Sequence, residues 1–121
     1  MMDIMKLREH KYAQCAYYHT MYLAGKEEWG PEWGFLSYTT RVIIVRGSRV
    51  VFTGHYSRTT SKQLSWWLAE YGERLKGLDK KTLEIMDREH LAYNFKTGEL
   101  TPLTDYEWRE RKEIRRAAQG A

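Results

Sequence analysis

Two β-branched runs, residues 35–45 and 50–56, flank Arg46, Gly47, Ser48 and Arg49, and this pattern limits what the chain can fold into. Val, Ile, Thr and aromatic side chains suit a pleated surface, and the Gly-Ser pair allows a chain reversal, so the segment reads as an antiparallel hairpin. Register follows from the loop. An odd loop, Gly47 to Arg49, places even-numbered residues of both strands on one face. That register collects Leu36, Tyr38, Val42, Ile44, Val50, Phe52 and Tyr56 into a core face. The opposite face then presents Thr39, Arg41, Thr53 and His55, with Ile43, Val45 and Val51 nearer the tip. A two-residue turn at Gly47 and Ser48 would mix the faces, so the odd loop is preferred, giving one core face and one basic, polar face.

Helical spacing is read on both sides of this hairpin. Apolar residues at Ile4, Leu7, Ala13, Ala16, Tyr17 and Met21, ending at Gly25, predict a helix from about Ile4 to Ala24. Trp29, Gly30, Pro31, Glu32 and Trp33 read as an ordered aromatic loop, because Gly and Pro interrupt regular structure. After the hairpin, Ser57 to Ser61 offers N-caps to a helix over 60–76 whose stripe is Leu64, Trp67, Leu68, Tyr71 and Leu75. Trp66 sits about 100° around from Trp67 and is the more exposed of the pair. Gly77 ends that helix, and Asp79 or Thr82 caps a short one through Arg88. Residues 91–95 and 100–103 form a second hairpin around Gly98. Thr104 and Glu107 fit a capping box opening a charged surface helix to about Ala118. The expectation is one α+β domain over 1–121, a small antiparallel sheet built on the first hairpin and packed against two or three helices.

Composition narrows the class further. A chain of 121 residues with 42% hydrophobic side chains makes one packed domain rather than two. The single cysteine, Cys15, excludes an internal disulfide and a cysteine-rich zinc site, which suits a reducing compartment. No apolar run approaches the roughly 20 residues of a membrane span, and the first residues carry no secretory apolar stretch, so a cytoplasmic protein without membrane contact is expected. The net charge is +4, and residues 35–62 contain five cations, Arg41, Arg46, Arg49, Arg58 and Lys62, without a carboxylate. Such a segment can create a local positive field.

That field suggests the candidate site. Arg41 and His55 on the polar sheet face, Arg46 and Arg49 near the tip, and Arg58 and Lys62 at the helix start can follow a phosphate backbone. Exposed Trp66 or Tyr56 can stack on a base. The ordinary alternatives stay open: Ser and Thr are preferred helix caps, and small sheets commonly leave one face solvated. Trp29 and Trp33 are candidates for a protein contact, or for a lid over the core. Arg109, Arg111, Lys112, Arg115 and Arg116 can clamp an acidic partner, yet Glu107, Glu110 and Glu113 interleave with them, so a locally compensated, solvated face is expected there. The ragged apolar stripe of that helix leaves room for a dimer partner. Cys15 and His19, four residues apart on the first predicted helix, can touch one metal, but two ligands do not make a site. The sequence lacks a nucleophile elbow, a phosphate-binding glycine loop and an HExxH motif, so neither catalysis nor a cofactor is expected.

Ser37-Tyr38-Thr39-Thr40, followed by a short hairpin and Tyr56-Ser57-Arg58-Thr59-Thr60-Ser61-Lys62-Gln63, resembles a pattern in small uncharacterised proteins of bacteriophages and mobile elements. The resemblance covers about residues 36–72. It implies a bacterial host cytoplasm, where small basic proteins bind nucleic acid or block a host defence enzyme, as anti-CRISPR proteins do. No site residue is carried over from it. The expected function is a non-enzymatic binding protein that modulates a host nucleic-acid enzyme or ribonucleoprotein. The alternative is direct nucleic-acid binding through the basic hairpin and helix start.

Overall fold

The computed structural model describes residues 2–6, 15–20, 32–37, 40–54 and 58–120. Among these, seven strands form one antiparallel sheet in chain order: β1 (Met2–Lys6), β2 (Cys15–Thr20), β3 (Glu32–Ser37), β4 (Thr40–Arg46), β5 (Arg49–Phe52), β6 (Leu91–Asn94) and β7 (Glu99–Pro102). Helices α1 (Arg58–Tyr71) and α2 (Lys80–Glu89) lie between β5 and β6, and α3 (Asp105–Gly120) follows β7. The expected α+β class, an antiparallel sheet packed against helices, is the class observed.

The central hairpin is present, but its loop is shorter than expected. Ile43 pairs with Phe52, Val45 with Val50 and Arg46 with Arg49, which leaves a two-residue turn, Gly47 and Ser48. Gly47 has φ 58°, and this left-handed start gives the turn the twist of its strands, which an odd loop does not match as closely. Odd-numbered residues of β4 therefore share a face with even-numbered residues of β5. Ile43, Val45, Val50 and Phe52 join Leu64 and Trp67 of α1 and Leu83 and Met86 of α2 in one core cluster. On the other face Ile44 and Val51 meet Ala92 and Leu103, with Ile114 of α3 packed against them. The polar face expected of the hairpin is thus a second buried face. Continuous apolar runs in both strands are the signature of a strand covered on two sides.

A bulge adjusts this pattern. Phe35 pairs with Ile43, but Leu36 pairs with Arg41, so Val42 is an extra residue in β4. Thr53 satisfies the displaced backbone: its N–H donates to the Val42 carbonyl at 2.9 Å, and its hydroxyl donates to the Arg41 carbonyl at 2.7 Å. Without the extra residue Arg41 would share the face of Ile43 and Val45. With it, Arg41 turns to the face of Ile44 and Arg46.

The chain start departs most from expectation. Residues 2–6 and 15–20 are strands, not parts of a helix, with Ile4 opposite Tyr18 and Tyr17 opposite Phe35. The apolar spacing is compatible with a helix, but β1 and β3 flank β2 and between them offer ladder partners on both of its edges, so long-range pairing overrides the local pattern. The expected aromatic loop also ends early, because Glu32 and Trp33 begin β3.

Local signals elsewhere hold. α1 passes into a 3-10 turn, Gly72–Leu75, and the Gly77 N–H closes on the Gly72 carbonyl at 3.0 Å. Asp79 caps α2 by accepting the Thr82 N–H at 2.8 Å. The β6–β7 hairpin turns through Gly98 at φ 79°, with the Asn94 side chain accepting the Lys96 N–H at 2.9 Å. At the start of α3 the Thr104 N–H donates to the Glu107 carboxylate at 2.9 Å, and the Glu107 N–H donates to the Thr104 hydroxyl at 3.2 Å.

Gly54 gives a direct test of how α3 is seated. Its φ is +120°, and a Cβ there would lie 2.8 Å from Nη2 of Arg115, whereas a Cβ at Gly47 would meet open space. Gly54→Ala is expected to lower unfolding stability by about 2–4 kcal/mol and Gly47→Ala by about 1 kcal/mol, from strain plus displacement in one case and strain alone in the other. Equal losses in denaturant titrations would contradict the close approach of Arg115.

Candidate nucleic-acid interface

Arg41 and Arg46 project from β4, and Arg49 from β5, onto the sheet face that α3 covers. They do not meet solvent alone. Arg41 donates to Glu32 at 2.8 Å and lies 3.5 Å from Glu110. Arg46 bridges the same two carboxylates, through Nε to Glu32 at 3.0 Å and Nη1 to Glu110 at 2.9 Å. Arg49 grips Glu107 with Nε at 3.0 Å and Nη2 at 2.7 Å, and reaches the Thr101 hydroxyl at 2.8 Å. Glu107 thus serves two roles, capping α3 and anchoring it to β5.

The electrostatics follow from this lattice. Burial by itself raises the Glu32 carboxyl pKa, but the bond from Arg41 and the charge of Arg46 together bring it below the ordinary carboxylate value. At Glu107 burial is likewise outweighed by Arg49 and the Thr104 N–H, and the net shift is downward. Burial disfavours the Arg46 cation, yet Glu110 and Glu32 outweigh it and raise its pKa. The bond to Glu107 raises Arg49 against the opposing effect of burial.

The basic segment of the sequence is therefore not the free cationic surface expected of it. Arg41, Arg46 and Arg49 are half-buried and neutralised by carboxylates, which an external phosphate would have to displace. Lys62 is exposed on α1, across the sheet from these arginines. Trp66 is partly buried and packs against the core. Arg58 opens α1, while His55, Tyr56 and Trp29 lie outside the described residues. Trp33 packs 6.0 Å from Trp67, whose ring also meets Phe35 at 5.8 Å and Tyr71 at 5.2 Å, so Trp33 is partly buried against the core, as a lid over it would be. Cys15 and His19 lie on β2, where a four-residue separation spans about 13 Å instead of one helical turn. The shared-metal reading loses its geometric basis. Among the described residues, no group of three or more metal-ligating side chains converges, and no helix is long and apolar enough to cross a membrane.

The opposite side of α3 has a different character. Glu107, Glu110 and Arg111 turn inward, so two of the three acids that the sequence places among the helix cations are committed to the sheet, while Glu113 stays exposed. Among the described residues no ion pair within 4.0 Å joins a carboxylate to Arg109, Lys112 or Arg116, and exposed Glu113 is what remains on this side of the expected local compensation. These three exposed cations line a cavity of about 630 Å³ together with Trp108, Arg111 and Arg115. Its described wall contains no acid. Arg115 is held by Asp87 of α2 and the Thr53 carbonyl, and Arg111 by the His90 ring at 2.7 Å. Two cations of the cavity are thus fixed from behind, and three are directed outward. All five cations are visible in the sequence, but only the inward turn of Glu107 and Glu110 shows that this exposed face keeps one acid, Glu113, rather than three.

Comparison with protein-family models, curated proteins and solved structures yields no match.

The lowered carboxylates specify an acid response. A carboxyl whose folded pKa lies below its unfolded value adds stability that is complete above the unfolded value, about 4.3 for Glu, and is lost as pH falls through the folded value. Unfolding free energy is expected to drop as pH is lowered from about 6 towards about 3. Glu107→Gln is expected to be less stable at neutral pH by about 1–3 kcal/mol and to show a shallower acid loss. An unchanged acid slope in denaturant titrations would remove Glu107 from the group responsible.

Proposed function

We propose that this chain is a non-enzymatic binding protein that contacts nucleic acid through the cationic cavity on α3. The observation that carries the reading is the set of Arg109, Lys112 and Arg116, exposed and without an ion pair to a carboxylate among the described residues, beside a half-exposed indole. A nucleic-acid backbone carries one negative charge at each phosphodiester, and lysine and arginine gain from it by charge and by release of condensed counterions. An aromatic surface in the same groove adds contact with base faces. The candidate surface thereby moves from the hairpin, whose arginines are occupied by Glu32, Glu107 and Glu110, to the outer side of the terminal helix.

The setting follows from the resemblance to phage and mobile-element proteins, and we place the chain in a bacterial host cytoplasm. There a nucleic-acid contact is a route to a host nucleic-acid enzyme or ribonucleoprotein, including those of anti-phage defence, because such assemblies present nucleic acid to a small basic protein. Modulation by protein contact alone has less support, since Trp33 is partly buried against the core.

Fluorescence anisotropy with labelled single-stranded DNA, duplex DNA and RNA, each at low and high salt, tests the reading. Binding is expected to weaken steeply with salt. An Arg109→Ala, Lys112→Ala, Arg116→Ala variant is expected to stay folded and to lower the salt slope by about 2–3, close to one for each phosphate contact removed. Lys62→Ala is expected to change little. Absence of binding to all three nucleic acids at low salt would overturn the proposal and direct the search to a protein partner.

A further inference from the structure

Trp108 is 43% exposed although it stands at the first turns of a helix whose other face is packed on the sheet. Among the described residues it makes one cation–π and one ring–ring contact: the Arg111 guanidinium carbon lies 4.6 Å from the ring centroid, and the His90 ring lies 4.6 Å away at 35°. These two neighbours touch each other, Arg111 Nη2 donating to His90 Nδ1 at 2.7 Å. Groups at that distance on opposite faces of one indole would stand about twice as far apart as either does from the ring, which their mutual hydrogen bond forbids. Both therefore lie to the same side. Neither of these groups covers the other face of Trp108.

Both backing groups are anchored by hydrogen bonds. Arg111 is 2% exposed, and His90 is the left-handed C-cap of α2 at φ 58°, with its N–H bonded to the Met86 carbonyl. Because a guanidinium only donates, His90 Nδ1 accepts, and the imidazole proton sits on Nε2. The indole is thus oriented before any ligand arrives, which reduces the ordering cost of binding. Lys112 and Arg116 follow Trp108 at intervals of four residues on the same helix face, about 6 Å apart per step along the axis. That step is close to the separation of successive phosphates in an extended strand.

We infer that Trp108 is a stacking platform for one unpaired base of single-stranded nucleic acid, with Lys112 and Arg116 taking the phosphates that follow it. The inference rests on the nucleic-acid reading proposed above and names its substrate class. Unpaired bases offer an open face, whereas duplex bases have both faces covered by their neighbours. Base and phosphate together also describe a free nucleotide, so the strand and the monomer are separate arms of the test.

The intact 121-residue chain is titrated with a single strand containing one aminopurine, with the corresponding duplex, and with adenosine monophosphate as competitor. The single strand is expected to bind at least about tenfold more tightly than the duplex at matched salt, with aminopurine emission quenched on binding. Trp108→Ala is expected to weaken single-strand binding by about tenfold or more and abolish the quenching, while duplex binding stays within about twofold. Trp108→Phe retains an aromatic face over Arg111 and His90, and is expected to keep most of the binding and quenching. Saturating binding by the native protein without quenching would overturn the inference whatever the variants do. Equal binding of strand and duplex, unchanged in Trp108→Ala, would overturn it too and leave the nucleic-acid reading standing. Competition by the monophosphate as strong as the strand's own affinity would replace the strand by a free nucleotide. No binding of either polymer at low salt would remove both proposals together.

Discussion

Three arginines on one sheet face and two glutamates on one helix face hold this fold in its particular arrangement. Arg41 and Arg46 share Glu32 and Glu110, and Arg49 takes Glu107. Each group is at least half-buried, so none can be removed alone without leaving a charge poorly solvated. The lattice requires α3 to lie over β4 with Glu107 and Glu110 downward. Once that rotation is set, the helix periodicity determines which residues point away: Trp108, Arg109, Lys112, Glu113 and Arg116. The outward cationic face is thus a consequence of how the inward acidic one is satisfied.

Two backbone details make the lattice geometrically available. The two-residue turn at Gly47 and Ser48 places Arg46 opposite Arg49 in adjacent strands. The bulge at Val42 rotates Arg41 onto the same face, and Thr53 compensates the disturbed ladder. Beyond Thr53, Gly54 leaves the space that Arg115 occupies. Arg115 in turn links α3 to Asp87 and so to α2, next to the His90 that supports Trp108. Sheet, helices and the candidate platform are one mechanical unit.

The features legible in the chain were those decided within a few residues. The Asp79 cap, the Gly77 stop, the hairpin around Gly98 and the Thr104–Glu107 box each need only neighbouring backbone groups, and all are present. The first strands were not legible, because β2 is formed by pairing with β3 and its own apolar spacing is compatible with a helix. Hairpin register failed for a related reason. The alternation in Val42 to Val45 is uninformative when both faces are buried, and a bulge shifts parity without a mark in the residue types.

The same division applies to charge. Sequence alone determined that a carboxylate-free basic segment existed and that a second cluster of cations lay on a capped terminal helix. Only the tertiary structure decided which cluster remained available. Glu110 reaches Arg46 across 64 positions and Glu107 reaches Arg49 across 58, so the neutralisation of the first cluster and the release of the second are one long-range event. Charge interactions act through space at separations of a few ångströms, and a count along the chain cannot register a partner that folding brings from so far away.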